Sequence, residues 1–159
     1  MMSNIRQILV PTDFSDGSAA ATEQALGLAR AFGATVTLFH AYNVPSYVFP
    51  DGSTFIAGPD VAVRIEREVA DALASAARAA ERQSAVPVLT RSAIGAPFEE
   101  ILRASNEFDL VVMGTHGRTG VRHLLLGSVA EKVVRHASCP VLTVRVPEHR
   151  RPTEHAPVI

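Results

Sequence analysis

Strand-like and helix-like segments alternate along almost the whole chain, and this order constrains the fold more than any other feature. Apolar, β-branched runs predict five strands, at residues 8–10, 35–41, 86–92, 110–113 and 141–146. The segments between them carry apolar residues at helical spacing and predict four helices, the first of which ends before Gly33. Strands separated by helices join through right-handed crossovers into an open, parallel α/β sheet with helices on both faces.

Two of the helices have patterns that predict which side packs on the sheet. The first helix carries an apolar stripe made of Ala21, Ala25, Leu28, Ala29 and Phe32. The last helix places its valines on the inner side, namely Val129, Val133 and Val134. Both faces of the sheet are therefore expected to be covered, which suits the fully apolar run LVVM at 110–113.

The chain has 159 residues, of which 47% are hydrophobic, and this fits one domain with one buried core. We predict a single domain over residues 1–146 and a disordered tail over 147–159, where prolines lie among charged residues and histidines. Residues 43–58 contain several prolines and glycines and are predicted as a loop. The stretch from Tyr42 to Phe55 is unusually aromatic, and three roles remain open for it: it covers a bound ligand, joins a dimer contact or covers the core. Its aromatic residues are Tyr42, Tyr47, Phe49 and Phe55.

Composition excludes several classes of function. The net charge of −1 argues against a general electrostatic grip on nucleic acid or anionic lipid. The N-terminus has no apolar signal region and no run of about eighteen apolar residues occurs, so we predict no membrane association and a cytoplasmic protein. Cys139 is the single cysteine, which suits a reducing compartment, and it is predicted as a small buried hydrophobic residue.

Unusual residues follow the first and the fourth predicted strands. Pro11, Thr12 and Asp13 come directly after the first strand, and a glycine-rich segment, 114–120, follows the fourth. Ligands of open α/β sheets bind beyond the carboxyl ends of the strands, at the point where the strand order reverses. The sequence therefore predicts a ligand site formed by these two connections.

The glycine-rich segment suits phosphate, but its spacing alone leaves a structural explanation open. Glycines let the backbone approach a ligand closely, and the Gly127-Ser128 pair precedes a helix whose N-terminus favours anions. The segment matches neither a P-loop nor the dinucleotide fingerprint. Ser128 with Glu131 matches a capping box, and Asp13 has the alternative role of capping the first helix.

Three separated segments resemble the universal stress protein family. The segment GTHGRTGVRHLLLGS is similar to the family's glycine signature, whose positions here are Gly114, Gly117, Gly127 and Ser128. The opening ILVPTDFS and the closing SCPVLTVR are similar to the family as well, so the resemblance covers residues 4–146. It implies a Rossmann-like sheet with strand order 3-2-1-4-5.

The resemblance also implies a ligand and an assembly. Members with this glycine pattern bind ATP, with Mg²⁺ or Mn²⁺ held among the phosphate oxygens. It implies that Asp13 and the backbone near Pro11, Thr12 and Ala41 hold adenine and ribose, and that the signature glycines and Ser128 hold the phosphates. The remaining nucleotide contacts are expected from Met113, His116, Arg118 and Val129. A homodimer is expected through the fifth strand, which runs from Val141 to Val146.

Three functions compete at this level. The favoured one is an ATP-binding stress-response or signalling module with at most slow hydrolysis. The alternatives are a genuine ATP hydrolase and a dimeric interaction protein whose pocket is usually empty. Fast hydrolysis requires a group that orients water, and the glycine-rich segment offers no carboxylate for it. No catalytic residue and no metal-binding side chain is predicted. His40, His123 and His136 lack metal-site spacing and are predicted as core or surface residues.

Overall fold

A five-stranded parallel sheet, with helices on both faces, forms the centre of the molecule. The computed structural model describes residues 5–115 and 126–146. Its elements follow one another as β1 (Gln7–Pro11), α1 (Asp16–Phe32), β2 (Thr35–Tyr42), β3 (Ser46–Val48), β4 (Thr54–Ile56), α2 (Pro59–Ser84), β5 (Val88–Ile94), α3 (Pro97–Ser105), β6 (Leu110–Gly114), α4 (Ser128–His136) and β7 (Val141–Val144).

The sheet has the order β5-β2-β1-β6-β7, and every neighbouring pair is parallel. With the short β3 and β4 set aside, this is the predicted order 3-2-1-4-5, so the predicted fold is confirmed. The order reverses between β1 and β6. The connections that follow these two strands, one with Asp13 and one beginning at Thr115, therefore leave the sheet side by side.

Two apolar layers cover the sheet, one on each face. In β1, Ile8 and Val10 face α1 and α2, whereas Leu9 faces α3 and α4, and all three side chains are fully buried. This alternation is the two-residue repeat of a strand buried on both sides. Two residues of the predicted helix stripes fall outside these layers, since Phe32 is 44% exposed and Val134 is 47% exposed.

The predicted loop at 43–58 contains a small antiparallel hairpin, which corrects the prediction. β3 pairs with β4, and a turn at Pro50 and Asp51 joins them, with Gly52 in the left-handed region at φ 83°. Five β-favouring residues in two three-residue strands gave too short a pattern to outweigh the prolines and glycines. The hairpin strands contact each other far more than any other element, and Tyr47 and Phe55 are each 58% exposed. Covering the core is therefore not the role of this hairpin.

None of the helices in the two described ranges is long and apolar enough to cross a membrane. The predicted tail at 147–159 lies outside the described residues.

Candidate functional site

A cavity of about 300 Å³ opens at the carboxyl ends of β1, β2 and β6. Helices α3 and α4 contribute to its wall through Pro97, Ile101 and the first residues of α4. The structure thus brings together nine of the predicted site residues around one cavity: Pro11, Thr12, Asp13, Ala41, Met113, Gly114, Gly127, Ser128 and Val129. The other three, His116, Gly117 and Arg118, lie outside the described residues.

The connection from β1 to α1 is a tight, hydrogen-bonded turn. Asp13 Oδ1 accepts hydrogen bonds from the backbone N–H of Ser15 at 3.1 Å and from the Ser15 hydroxyl. Ser15 is the residue that caps α1, with its hydroxyl oxygen accepting from the Ser18 N–H at 3.3 Å. Asp13 is therefore not the helix cap itself. Its carboxylate shapes the turn through Oδ1 and lines the cavity.

Aromatic rings stand beside this turn. His40, on β2, lines the cavity and has its ring centroid 4.8 Å from that of Phe14 and 6.4 Å from that of Tyr42. Its Nδ1 lies 2.7 Å from the Thr12 carbonyl oxygen. Phe14 adopts a left-handed backbone with φ 63°, which is a strained conformation for a residue with a side chain. Strained backbone of this kind concentrates at binding and catalytic sites.

The N-terminus of α4 forms the opposite wall, and its cap differs from the predicted capping box. Gly127 is the N-cap residue, Ser128 is the first helical residue, and no side chain of the described residues makes the cap hydrogen bond. The Gly127 N–H donates to the Thr115 carbonyl at 2.7 Å, so that donor is used within the fold. The N–H groups of Ser128, Val129 and Ala130 lie in the first turn, where no intrahelical acceptor exists. This end of α4 therefore offers donors and partial positive charge to an anion.

Gly114 has a packing role at the edge of the cavity. A Cβ atom at this position would lie 2.7 Å from the carbonyl carbon of Gly17 in α1. The absence of a side chain lets α1 approach the end of β6, whatever the site holds. The family signature alone does not reveal this role.

Several lining residues were not among the predicted site residues. Phe39 and Ile101 form an apolar floor, while Ser18, His40 and Thr115 add polar groups. His40 was predicted as a core or surface residue, because the sequence around a single histidine at the end of an apolar strand is compatible with both positions. Its position at the carboxyl end of a strand beside the switch point was the available signal. Ser18 and Ile101 lie inside helices, where a local pattern gives no sign that they face a ligand.

The charged groups of the cavity wall are few. Asp13 is the one carboxylate among its described lining residues. In the described ranges, no group of three histidine, cysteine, aspartate or glutamate side chains is placed to hold a metal ion.

Cys139 lies away from the cavity and packs, partly buried, against the α3–α4 side of the core. Burial raises the pKa of its thiol, which fits the predicted role as a small hydrophobic residue.

Comparisons with known proteins agree on one family. A sequence profile of the universal stress protein family matches residues 4–145. A universal stress protein of Methanocaldococcus jannaschii is 36% identical over 147 residues, which cover 90% of this chain and 84% of that protein. One from Thermus aquaticus is 39% identical over 144 residues, covering 88% of this chain and 98% of that protein.

Solved structures show the same fold. A universal stress protein of Lactobacillus plantarum superposes with a TM-score of 0.66 at 28% identity, covering 90% of this chain and 99% of that chain. A universal stress protein in complex with cAMP superposes with a TM-score of 0.62 at 29% identity, covering 90% and 98%.

Proposed function

This chain belongs to the universal stress protein family, and from that membership we propose that it binds ATP in the cavity and acts as a stress-response or signalling module with at most slow hydrolysis. The observation that carries the proposal is the meeting of two elements at one cavity. The Asp13 turn and the N-terminus of α4 both line it, at the switch point of the sheet.

The base and ribose fit the β1–β2 side of the cavity. Phe39, Ala41 and Ile101 supply an apolar surface for a flat ring. The Asp13 carboxylate, with its Oδ1 shared with Ser15, is an acceptor for ribose hydroxyls. The volume of about 300 Å³ lies at the lower end of the range for small-molecule sites, which suits the nucleoside part of the ligand. The cAMP held by a related protein is also an adenine nucleotide.

The phosphates fit the α4 side. Each hydrogen bond to a charged acceptor contributes about 1.5–3 kcal/mol, so three donors in the first turn support binding in the micromolar range. The Ser128 hydroxyl lies at the same helix end and is not used as the cap. Phosphate thus takes the place that a capping side chain would otherwise fill.

A divalent cation fits this site only as a companion of the nucleotide. The described wall supplies one carboxylate and a few hydroxyls, which is too small a set for an all-protein cation site. Mg²⁺ or Mn²⁺ would be held mainly by the phosphate oxygens and would offset their charge.

The same wall favours slow hydrolysis over a fast ATPase. A hydrolase orients its attacking water with a side chain near the terminal phosphate. Asp13 belongs to the turn proposed for the ribose, and the other described lining residues have no carboxylate. This favours a protein that holds ATP as a signal over one that turns it over.

Two measurements test the proposal. Mass spectrometry of small molecules released from freshly purified protein should find ATP. Calorimetry on the stripped protein with ATP and Mg²⁺ should give micromolar affinity. Recovery of ADP or AMP from protein supplied with ATP would favour the hydrolase. A stripped, folded protein with no affinity for ATP would rule out the proposal and favour the dimeric interaction protein.

A further inference from the structure

We propose that His40 is a positioning residue for the nucleotide, because its ring fixes the Thr12–Asp13 peptide and thereby the carboxylate that faces the ribose. The inference rests on the function proposed above. It assigns to His40 a role in affinity beyond its place in the cavity wall.

Both backbone polar groups of Thr12, its N–H and its carbonyl, are hydrogen-bonded to residues of β2. Its N–H donates to the Phe39 carbonyl at 2.8 Å, and its carbonyl accepts from His40 Nδ1 at 2.7 Å. The regular ladder between β1 and β2 ends at the pairing of Pro11 with Phe39. The His40 ring therefore adds one bond beyond the end of the β1–β2 ladder, made by a side chain in place of a backbone N–H.

This bond also defines the hydrogen on the ring. A carbonyl oxygen only accepts, so the hydrogen must sit on Nδ1 of His40. Both the neutral ring with this tautomer and the cationic ring carry that hydrogen, so both can hold Thr12. The tautomer with hydrogen only on Nε2 would place a lone pair against the carbonyl.

The consequence for Asp13 follows from the planarity of the peptide unit. The Thr12 carbonyl and the Asp13 N–H belong to one planar peptide unit. Holding the carbonyl in place therefore also sets the orientation of the Asp13 N–H and the position of its Cα atom. The next residue, Phe14, has the strained φ of 63° and packs its ring on His40 with a centroid distance of 4.8 Å. His40 thus supports the turn before and after Asp13, by a hydrogen bond on one side and a ring contact on the other.

A replacement series separates positioning from the alternatives. His40→Leu removes the donor, while His40→Asn keeps an N–H near the position of Nδ1 and lacks the rest of the ring. The matched control is His136→Leu, since His136 Nδ1 also lies 2.9 Å from a backbone carbonyl, that of Lys132, and its ring contacts Phe98, outside the cavity lining. Titration calorimetry with adenosine and with ATP, and thermal unfolding, are measured on each variant.

His40→Leu should weaken adenosine and ATP by the same factor, about tenfold, because the lost contact concerns the ribose end. His40→Asn should recover most of that loss, and His136→Leu should bind both ligands like the unmodified protein. Unchanged affinities in folded His40→Leu would overturn the inference, as would a His40→Asn variant as weak as His40→Leu. If the unmodified protein binds neither ligand, the proposed function fails and the inference fails with it, which is a different result from a loss confined to the variants.

Discussion

Gly114 and Gly17 lie in direct backbone contact where α1 crosses the end of β6. A Cβ built on Gly114 would lie 2.7 Å from the carbonyl carbon of Gly17 and 2.8 Å from its carbonyl oxygen. Real Cβ atoms do not approach backbone this closely, so a side chain at Gly114 would push the helix away from the sheet. The first glycine of the family signature is therefore required for packing, and a loss of binding on its replacement would not by itself show phosphate contact.

Gly114→Ala should lower the free energy of unfolding by about 1–3 kcal/mol, the usual cost of overpacking a tight contact. Gly27→Ala is the matched control, since nothing lies within 4 Å of a Cβ at that position in α1. There the change should stabilise by about 0.5–1 kcal/mol, because alanine favours helix over glycine. Urea unfolding measures both variants. If Gly114→Ala proves as stable as the unmodified protein, the backbone contact does not restrain the fold.

Ser128→Ala should weaken ATP about tenfold or more, as expected for a lost hydrogen bond to a charged group, while leaving stability nearly unchanged. The reason is that Ser128 is the first helical residue of α4 and does not cap it. Ser138→Ala is the control, because the Ser138 hydroxyl lies 3.0 Å from that of Ser105, away from the cavity lining. It should lower the melting temperature and leave ATP affinity intact. A Ser128→Ala variant that loses stability but keeps its affinity would return Ser128 to a structural role.

The sequence predicted the fold well because apolar strand segments alternate with clear helical segments along the chain. Gly33, for example, ends α1 in the left-handed conformation that its residue type favours. The hairpin of β3 and β4 was missed because three-residue strands give almost no periodic signal. The exposures of Phe32 and Val134 were missed because helical spacing defines a stripe but not how far the neighbouring element extends.

The site was predicted less completely, for a physical reason. The cavity gathers residues from β1, β2, β6, α1, α3 and α4, and only the strand ends and the start of α4 carry a recognisable motif. The sequence also did not show which backbone N–H groups of the site already have a hydrogen-bond acceptor within the fold. The Gly127 N–H, in a residue predicted to hold phosphate, is bound to the Thr115 carbonyl. Such partners depend on the three-dimensional path of the chain, which spacing does not give.

Two replacements of Asp13 should separate its charge from its role in the turn. Asp13→Asn keeps an oxygen that can accept from the Ser15 N–H, so the melting temperature should stay close to that of the unmodified protein. Its affinity for adenosine should nevertheless fall about tenfold, because a charged acceptor for the ribose is lost. Asp13→Ala should lower both affinity and stability. If Asp13→Asn binds adenosine normally, the carboxylate serves the turn alone.

The hydrogen bonds of Asp109 at the start of β1 should make the stability of the protein depend on pH in the acid range. One carboxylate oxygen of Asp109 accepts from the Arg6 N–H at 2.8 Å and the Gln7 N–H at 2.9 Å, and these bonds hold the pKa of Asp109 below its ordinary 3.8. A lowered pKa in the folded state stabilises the protein above the ordinary value, and that stabilisation is lost as pH falls through the lowered pKa. Asp109→Asn should therefore be less stable than the unmodified protein at pH 7, by a modest amount because the carboxylate is exposed. Urea unfolding at several pH values should show this difference shrinking below about pH 4. A difference that stays constant would exclude the ionised carboxylate as its cause.

The geometry of β7 indicates how a second copy would pair with it. β7 lies at the edge of the sheet, and β6 is its one partner among the described strands. The Pro140 carbonyl accepts from the Val111 N–H on β6 at 3.0 Å, and the Val144 carbonyl accepts from the N–H of Thr115, just after β6, at 2.9 Å. Because the direction alternates along a strand, the backbone groups of Thr143 point to the open edge. At the other edge strand, β5, the N–H of Gly95 just after the strand donates to the Tyr42 carbonyl on β2, so by the same alternation Thr90 points outward there.

The predicted homodimer through β7, the fifth strand of the sheet, can be tested by two threonine-to-proline replacements. Thr143→Pro removes an outward donor from β7 without removing a bond to β6, and proline is tolerated at such edge positions. It should convert the dimer to a monomer at micromolar concentration while the far-UV circular dichroism of the folded chain is kept. Thr90→Pro makes the same chemical change at the opposite edge and should leave the dimer intact, which separates loss of pairing from a general effect of proline. Light scattering gives the masses. A monomeric mass for the unmodified protein, or equal effects of the two replacements, would exclude pairing through β7.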